Sequence, residues 1–434
     1  MLTDTGKSAV DHPAKAVFMI INLARGNFPG TNFPVHSLIR SLRFASLLTL
    51  AAGLAAVLRA AEPPLAGVID SALATSAKQY GGMLAHLPAD AAKPLPRTFE
   101  HGQLVTIPTR DWTSGFFPGS LWYLFEATGD AQWRTAAEKF TALLAPEQHN
   151  TRTHDVGFML YCSYGNGLRL TGNPAYRPVL LNGAKSLGTR FNPTVGCLKS
   201  WDHGVGAFSF PVIIDNMMNL ELMMWAARED PAGPYRAIAL RHADTTITNH
   251  FRPDDSTFHV VDYDPTTGQV IKRVTHQGTA DTSAWARGQA WGLYGYTLMY
   301  RETKDPRYLA QAQKIAAFVM NHPRLPADKV PYWDFDDVKI PNAPRDSSAA
   351  AIICSALLEL RGYVDAATAA GYSALAEAQL RSLASSAYLA EPGTNGGFLL
   401  KHATGNHPKN SEIDVPINYG DYYFLEALLR ARGK

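Results

Sequence analysis

The sequence predicts an all-α fold, an (α/α)6 toroid (six-hairpin barrel) with a small β-hairpin insertion near residues 257–275. Three observations predict it. A hairpin-sized unit recurs along the chain, the two helices of each unit differ in how much of their surface is apolar, and the helices count to six pairs. A single catalytic domain is expected over residues 62–434.

Each unit runs from a polar or glycine-rich approach segment into an apolar helix, a short turn and an amphipathic helix. The turns are Thr128-Gly129-Asp130, Thr171-Gly172-Asn173-Pro174, Asp230-Pro231, Lys304-Asp305-Pro306 and Val364-Asp365. Asp or Asn ahead of Pro suits the end of one helix and the cap of the next. An aromatic follows each turn: Trp133, Tyr176, Tyr235, Tyr308 and Tyr372. Trp133, Ala136, Ala137, Phe140, Leu143 and Leu144 form one stripe at helical spacing, as on an outer helix. Val212 to Ala227 is apolar nearly all round and must be buried on every side. One helix per unit is therefore inner and one outer.

Five hairpins begin near residues 116, 156, 215, 288 and 347. A helix over Ala66 to Leu87 opens the series, and one over Asp421 to Arg432 closes it. Pairing these two closes a ring of six. An open superhelix would carry polar capping repeats, which the pattern lacks. In the longest gap Thr257 to Tyr263 alternates, Asp264-Pro265-Thr266-Thr267-Gly268 turns, and Gln269 to Thr275 alternates again. That predicts a β-hairpin over one mouth of the ring.

Residues 1–61 read as an over-extended N-terminus followed by a signal peptide at about residues 37–61. Arg40 and Arg43 precede the 15-residue apolar run Phe44 to Leu58, which leads to Ala60-Ala61-Glu62. The run is short for a membrane span, which needs about 20 residues. A secreted or periplasmic protein is expected, with no membrane partner after cleavage. The full chain has 434 residues, 46% apolar and 18% charged, which is globular composition. A net charge of +2 supplies no basic field for nucleic acid. The 3 cysteines (Cys162, Cys197 and Cys354) are too few and scattered for a disulfide framework. No cofactor or metal is expected, since no His-Glu-x-x-His or clustered ligand set occurs. A monomer or weak dimer is expected.

In a ring of hairpins the approaches to the inner helices converge on one mouth. They hold Arg110-Asp111-Trp112, His154-Asp155-Val156-Gly157, Ile214-Asp215-Asn216, Ala286-Arg287-Gly288, Arg345-Asp346-Ser347 and Tyr419-Gly420-Asp421. An Asp at a helix start is ordinarily an N-cap, the reading given to Asp111, Asp346 and Asp421. Capping lowers a carboxyl pKa, whereas an acid catalyst needs it raised, by burial or by a second carboxylate. Asp155 and Asp215 occupy equivalent places in successive hairpins, and Asp215 lies in the most apolar setting. Trp112, Trp201, Trp291, Phe116 and Tyr419 supply flat apolar faces suited to pyranose rings. Arg287 on an apolar helix needs an anionic partner, either one of the aspartates or a substrate carboxylate.

Four motifs taken together, Asp111-Trp112-Thr113-Ser114-Gly115-Phe116-Phe117-Pro118-Gly119, His154-Asp155-Val156-Gly157-Phe158, Ile214-Asp215-Asn216-Met217-Met218-Asn219-Leu220 and Ala286-Arg287-Gly288-Gln289-Ala290-Trp291, resemble the unsaturated glucuronyl hydrolases of glycoside hydrolase family 88. The resemblance runs from about residue 66 to the C-terminus. It implies an (α/α)6 barrel acting on lyase-generated oligosaccharides that end in a 4,5-unsaturated uronic acid. It implies hydration of the vinyl ether: a carboxylic acid protonates C4 and water adds at C5. The acid and base position is Asp215, with Asp155 as the second essential aspartate. His259 and Gln277 match positions near the substrate and the attacking water. Arg287 and Trp291 match substrate contacts, and Trp112 a stacking aromatic. Rival expectations are an unsaturated rhamnogalacturonyl hydrolase of family 105 on the same barrel, an inverting glycosidase, and a sugar-binding toroid without activity. No serine-and-lysine pattern for sulfate recognition is present, so sulfation preference stays open.

Overall fold

Twelve helices, taken in chain order, alternate between an inner ring and an outer ring among the described residues, 63–202 and 207–433 of a computed structural model. The expected export segment lies outside the described residues. The inner helices are α2 (Phe116–Thr128), α4, α6 (Asn216–Glu229), α8 (Ala286–Thr303), α10 (Ser347–Leu360) and α12 (Asn418–Ala431). The helix α4 runs through Val156–Leu160, a π-helical turn Tyr161–Gly165, and Asn166–Thr171. The outer helices are α1 (Leu65–His86), α3 (Ala131–Ala142), α5 (Tyr176–Gly188), α7 (Tyr235–Asn249), α9 (Pro306–Asn321) and α11 (Ala366–Leu383). Each inner helix packs on the next, and α12 packs back on α2, so the ring closes. The opening helix α1 pairs with α12, as the count of hairpins requires, and an open superhelix is excluded.

The helix boundaries follow the turn chemistry. Asp130 caps α3 through the amide of Gln132, Asp305 caps α9 with Pro306 in its first turn, and Asp365 caps α11 through Ala367 and Thr368. Gly172, at φ +66°, ends α4 in the left-handed conformation that a side chain disfavours. The inner helices are buried nearly all round. On α8, for example, every residue from Ala286 to Met299 is buried. One continuous apolar core fills the space between the rings.

Short strands gather at the mouth formed by the N-termini of the inner helices. A hairpin β1 (Leu95–Glu100) and β2 (Gln103–Ile107) precedes α2, and the two-residue strands β3 (Phe191–Asn192) and β4 (Cys197–Leu198) follow α5. The expected insertion is present as β6 (Val260–Tyr263) and β7 (Val270–Val274), joined by β5 (Pro211–Ile213) into a three-stranded antiparallel sheet. The last hairpin, β8 (Ala403–Asn406) and β9 (Ser411–Val415), leads into α12. The opposite mouth is lined by interlocked charges. Arg301 meets Glu221 and Glu359, and Arg430 meets Glu359 and Glu426, beside the π-helical turn of α4. These arginines complement the negative ends of the inner helix dipoles.

Candidate active site

The two central aspartates are held side by side by the way α4 and α6 begin. Gly157 allows close approach: a Cβ there would lie 2.6 Å from Asn219 Oδ1 and 2.8 Å from Asn219 Cα. The amide of Phe158 donates to Asn219 Oδ1 at 2.9 Å, and His154 Nδ1 pairs with Asn216 Oδ1 at 2.7 Å. Asn216 Nδ2 in turn donates to the Leu198 carbonyl at 2.8 Å, which fixes its amide orientation. The glycine and the two asparagines of the sequence motifs are thus a clamp between neighbouring helix starts. Gly157→Ala should destabilise the fold by about 1–3 kcal/mol by overpacking. It should also lower turnover, read from thermal melts alongside initial rates; unchanged values for both would remove the clamp.

Asp155 and Asp215 each precede an inner helix, yet neither side chain caps it. Asp155 Oδ2 accepts from the Thr153 hydroxyl at 2.6 Å, and Oδ1 faces His154 Nε2 at 3.2 Å. Asp215 is only 6% exposed, and its Oδ2 has no hydrogen-bond partner among the described residues. Burial pushes its carboxyl up to about 7; the charge of Arg287 works against this, and the charge of Asp155 adds to it. The indole of Trp291 lies beside the carboxyl and slightly favours the ionised form, while its N–H makes no well-formed hydrogen bond. The pair is therefore unequal, with one partly exposed, hydrogen-bonded carboxyl group and one buried acid.

The three-stranded sheet supplies the group opposite Asp215. Ile213 pairs with Val260, and the amide of Ile214 donates to the His259 carbonyl at 3.1 Å, so His259 lies next to Asp215. Its Nδ1 accepts the amides of His276 and Gln277 at 3.0 and 3.1 Å, which places the ring proton on Nε2. That Nε2 stands 3.9 Å from Asp215 Oδ2 with no other partner. Burial, then the neighbouring charges of His276 and Arg287, holds His259 well below the ordinary imidazole range, so it stays neutral. A neutral N–H donor and an unbonded carboxyl oxygen thus face each other at 3.9 Å.

Above them lies a cleft of about 470 Å³. Asp155, Asp215, His154, Thr153, Trp112, Trp201, His276, Gln277 and Tyr419 line its inner part. Trp112 stacks on Tyr419 at 5.2 Å and lines the cleft, while Trp201 packs against His276 at 5.4 Å. Gln277 donates through Nε2 to the Gly405 carbonyl at 2.9 Å, which ties β8 to the cleft wall.

The geometry also places Arg287, Trp291 and the aspartates expected to be caps. Arg287 is 1% exposed and lies beneath the cleft, with its guanidinium paired to Asp346 at 2.6 Å and donating to the carbonyls of Thr404 and Gly405. Its anionic partner is thus an aspartate of the chain. Trp291 is fully buried against Phe158 and Tyr423, beside the Asp215 carboxyl. Asp421 does not cap α12, which starts three residues earlier at Asn418; its carboxylate accepts the amides of Leu399 and Leu400 from another segment. Asp346 is the cap it was expected to be, bonding the amides of Ser348 and Ala349. Asp111 binds the Thr113 amide and also pairs with Arg97.

The sequence reading missed Arg97 and Glu412. Arg97, on β1, pairs with both Asp111 and Glu412 and fixes the rim of the cleft. Nothing in its local pattern singles it out, because its partner is 315 positions away. His154 was visible within a motif, but its link between Asp155 and Asn216 needed the fold.

A closed ring of six helical hairpins, with two unequal carboxyl groups under a cleft lined by Trp112 and Trp201, defines a glycoside hydrolase of the (α/α)6 barrel class. No protein-family model matches the chain. It is 52% identical over 325 residues to an unsaturated glucuronyl hydrolase of Formosa agariphila, covering 75% of this chain and 80% of that protein. It is 33% identical over 346 residues to an unsaturated chondroitin disaccharide hydrolase of Streptococcus agalactiae, covering 78% of this chain and 85% of that protein. Among solved structures, an unsaturated glucuronyl hydrolase specific for heparin superposes with a TM-score of 0.81 at 48% identity, covering 85% of this chain and 97% of the other. The chain belongs to the unsaturated glucuronyl hydrolase family.

Proposed function

We propose that this hydrolase removes 4,5-unsaturated glucuronic acid from glycosaminoglycan fragments made by polysaccharide lyases, with Asp215 as both acid and base. The observation that carries this is the buried, uncapped Asp215 carboxyl, pushed up to about 7 and open to the cleft beside Asp155. Protonating a carbon needs an acid that is still protonated near neutral pH. The Asp215 proton forms the new C4–H bond from the C4=C5 π electrons, leaving positive charge shared by C5 and the ring oxygen. Water adds at C5 and returns a proton to the Asp215 carboxylate. The hemiketal so formed at C5 opens, and the hemiacetal left at C1 releases the remaining sugar. The acid is restored, and no cofactor is required.

The other residues have positioning work. His259 Nε2–H and Gln277 hold the water side of Asp215, Asp155 holds the hydroxyls of the ring, and Trp112 and Trp201 flank the sugar faces. Arg287 and Trp291 set the environment of Asp215 from below. The relatives named for heparin and chondroitin fragments support the glycosaminoglycan class, and the main reading is favoured over the family 105 alternative. The anomeric bond is not attacked directly, so carboxylate separation does not set stereochemistry as it does in ordinary glycosidases. Export through the segment at about residues 37–61 belongs to the same proposal, and N-terminal sequencing of the mature chain would read it.

Unsaturated disaccharides from heparin and chondroitin are the test substrates, with loss of the double-bond ultraviolet absorbance as the signal. Absorbance that persists with every lyase product offered would refute the reading. The pH profile gives a second check. With Asp215 titrating at about 7, kcat/KM should be flat on the acid side and fall about tenfold per pH unit above neutrality. A rate that instead climbs from pH 7 to 9 would remove Asp215 as the acid.

A further inference from the structure

The cleft over the aspartates shares a wall with a second hollow of about 480 Å³. Arg110, Arg152 and Thr153 face both, and Pro146, Glu147, His149, Asn150 and Thr151 complete the second. The two approach segments that build the active site therefore each carry an arginine outward. Arg110 is followed by Asp111 and the stacking Trp112, and Arg152 by Thr153, His154 and Asp155. Both arginines are exposed, and neither has an ion-pair partner among the described residues. The one carboxylate of the hollow, Glu147, is turned into the wall, accepting from Thr109 Oγ1 at 2.8 Å and Asn150 Nδ2 at 2.9 Å. Other arginines near the mouth are committed: Arg97 to Asp111 and Glu412, Arg190 to Asp202, and Arg345 to Asp328. Two free guanidinium groups thus stand on the path leading out of the cleft, where a fork of N–H donors suits a carboxylate or sulfate.

We infer that the second hollow is a subsite for a further acidic sugar of a longer chain, whose anionic group is gripped by Arg110 and Arg152. The inference rests on reading the cleft as the unsaturated uronate site. It makes the enzyme prefer tetrasaccharides over disaccharides of the same backbone, the gain appearing in KM.

The test compares unsaturated disaccharides and tetrasaccharides from hyaluronan, which carries carboxylates only, and from chondroitin sulfate, which carries both groups. The full chain and its R110A/R152A double variant are assayed at low salt. The wild type should favour the tetrasaccharide in kcat/KM by about threefold to tenfold, the reach of two solvent-exposed charge contacts. The double variant should lose that advantage, with the disaccharide changing less than twofold. An advantage seen with both sources assigns the grip to the carboxylate; one confined to the sulfated pair assigns it to sulfate. Equal kcat/KM for both lengths in the wild type, an advantage surviving in the double variant, or an equal loss on both lengths would overturn the inference. A wild type that consumes neither length from either source would instead overturn the functional reading, and this one with it.

Discussion

Asp215→Asn should cut turnover by about 10⁴-fold or more and leave the barrel folded, and at alkaline pH it should leave the barrel more stable. The loss of rate follows from chemistry: an amide has no proton to give to C4 and cannot accept one from water. The fold survives because the carboxylate caps nothing. The stability gain follows from linkage. The folded carboxyl titrates at about 7, above its ordinary value of 3.8. Folding therefore favours the protonated form, and this contribution is fully present below about 3.8 and is lost as pH rises through about 7. Above pH 7 the native state carries a buried negative charge that the unfolded chain solvates freely. The amide removes that cost, which is at most about 4 kcal/mol for a shift of this size. Melting curves at pH 5 and pH 8 measure it: the variant should gain on the wild type by about 2 kcal/mol at pH 5, already above the ordinary value of 3.8, and by about 4 kcal/mol at pH 8. A variant that is less stable at both pH values would mean that Asp215 makes a structural bond not seen here. Retention of near-full rate would leave it without a catalytic role.

The same linkage applies to Asp421, also pushed up to about 7 by burial, but without a functional return. Its carboxylate clasps the amides of Leu399 and Leu400, so an amide there gives up bonds that Asp215 never makes. The contrast separates a carboxyl kept for chemistry from one kept for architecture. Asp215 immediately precedes an inner helix and Asp421 lies in the first turn of one, and both are buried. Only the bonds distinguish them, and bonds to distant segments cannot be read from spacing.

The legible part of the fold was that set by local physics. The all-round apolar inner helices, the striped outer helices and the caps at Asp130, Asp305 and Asp365 are short-range features, and together they define a ring of hairpins. The β-hairpin at 260–274 was legible because strands alternate. The joining strand Pro211–Ile213 was not, since three residues show no period. Within the site, Asp155 and Asp215 were legible as a pair because hairpin equivalence makes their helices neighbours. The apolar run around Asp215 also pointed to it as the more buried of the two, whereas the partners that leave one oxygen unbonded depend on the fold. The pairing of Arg97 with Glu412 left no trace in the sequence spacing, and for Arg287 the sequence showed the need for an anion but not which aspartate would meet it.

Arg287→Ala should destabilise the barrel by about 3–5 kcal/mol and at the same time move the alkaline limb of the pH profile upward. The first effect comes from Asp346, which is fully buried and also caps α10. Without the guanidinium at 2.6 Å that carboxylate remains in the core uncompensated, and the carbonyls of Thr404 and Gly405 lose their donors, which loosens β8 above the cleft. The second effect comes from Asp215. After burial, the charge of Arg287 is the largest influence on that carboxyl, and it favours the ionised form. Removing it lets the carboxyl rise further above 7, so the acid stays protonated to higher pH. A lysine should rescue little, because one ammonium cannot bridge Asp346 and two carbonyls in the plane that the guanidinium fork provides. If Arg287 instead gripped the substrate carboxylate, the alanine variant would show a raised KM with an unmoved pH limb and an unchanged melting temperature. The buried pair beneath the site and the buried acid within it are coupled, and the paired change in melting temperature and pH limb is the signature that a direct substrate contact cannot produce.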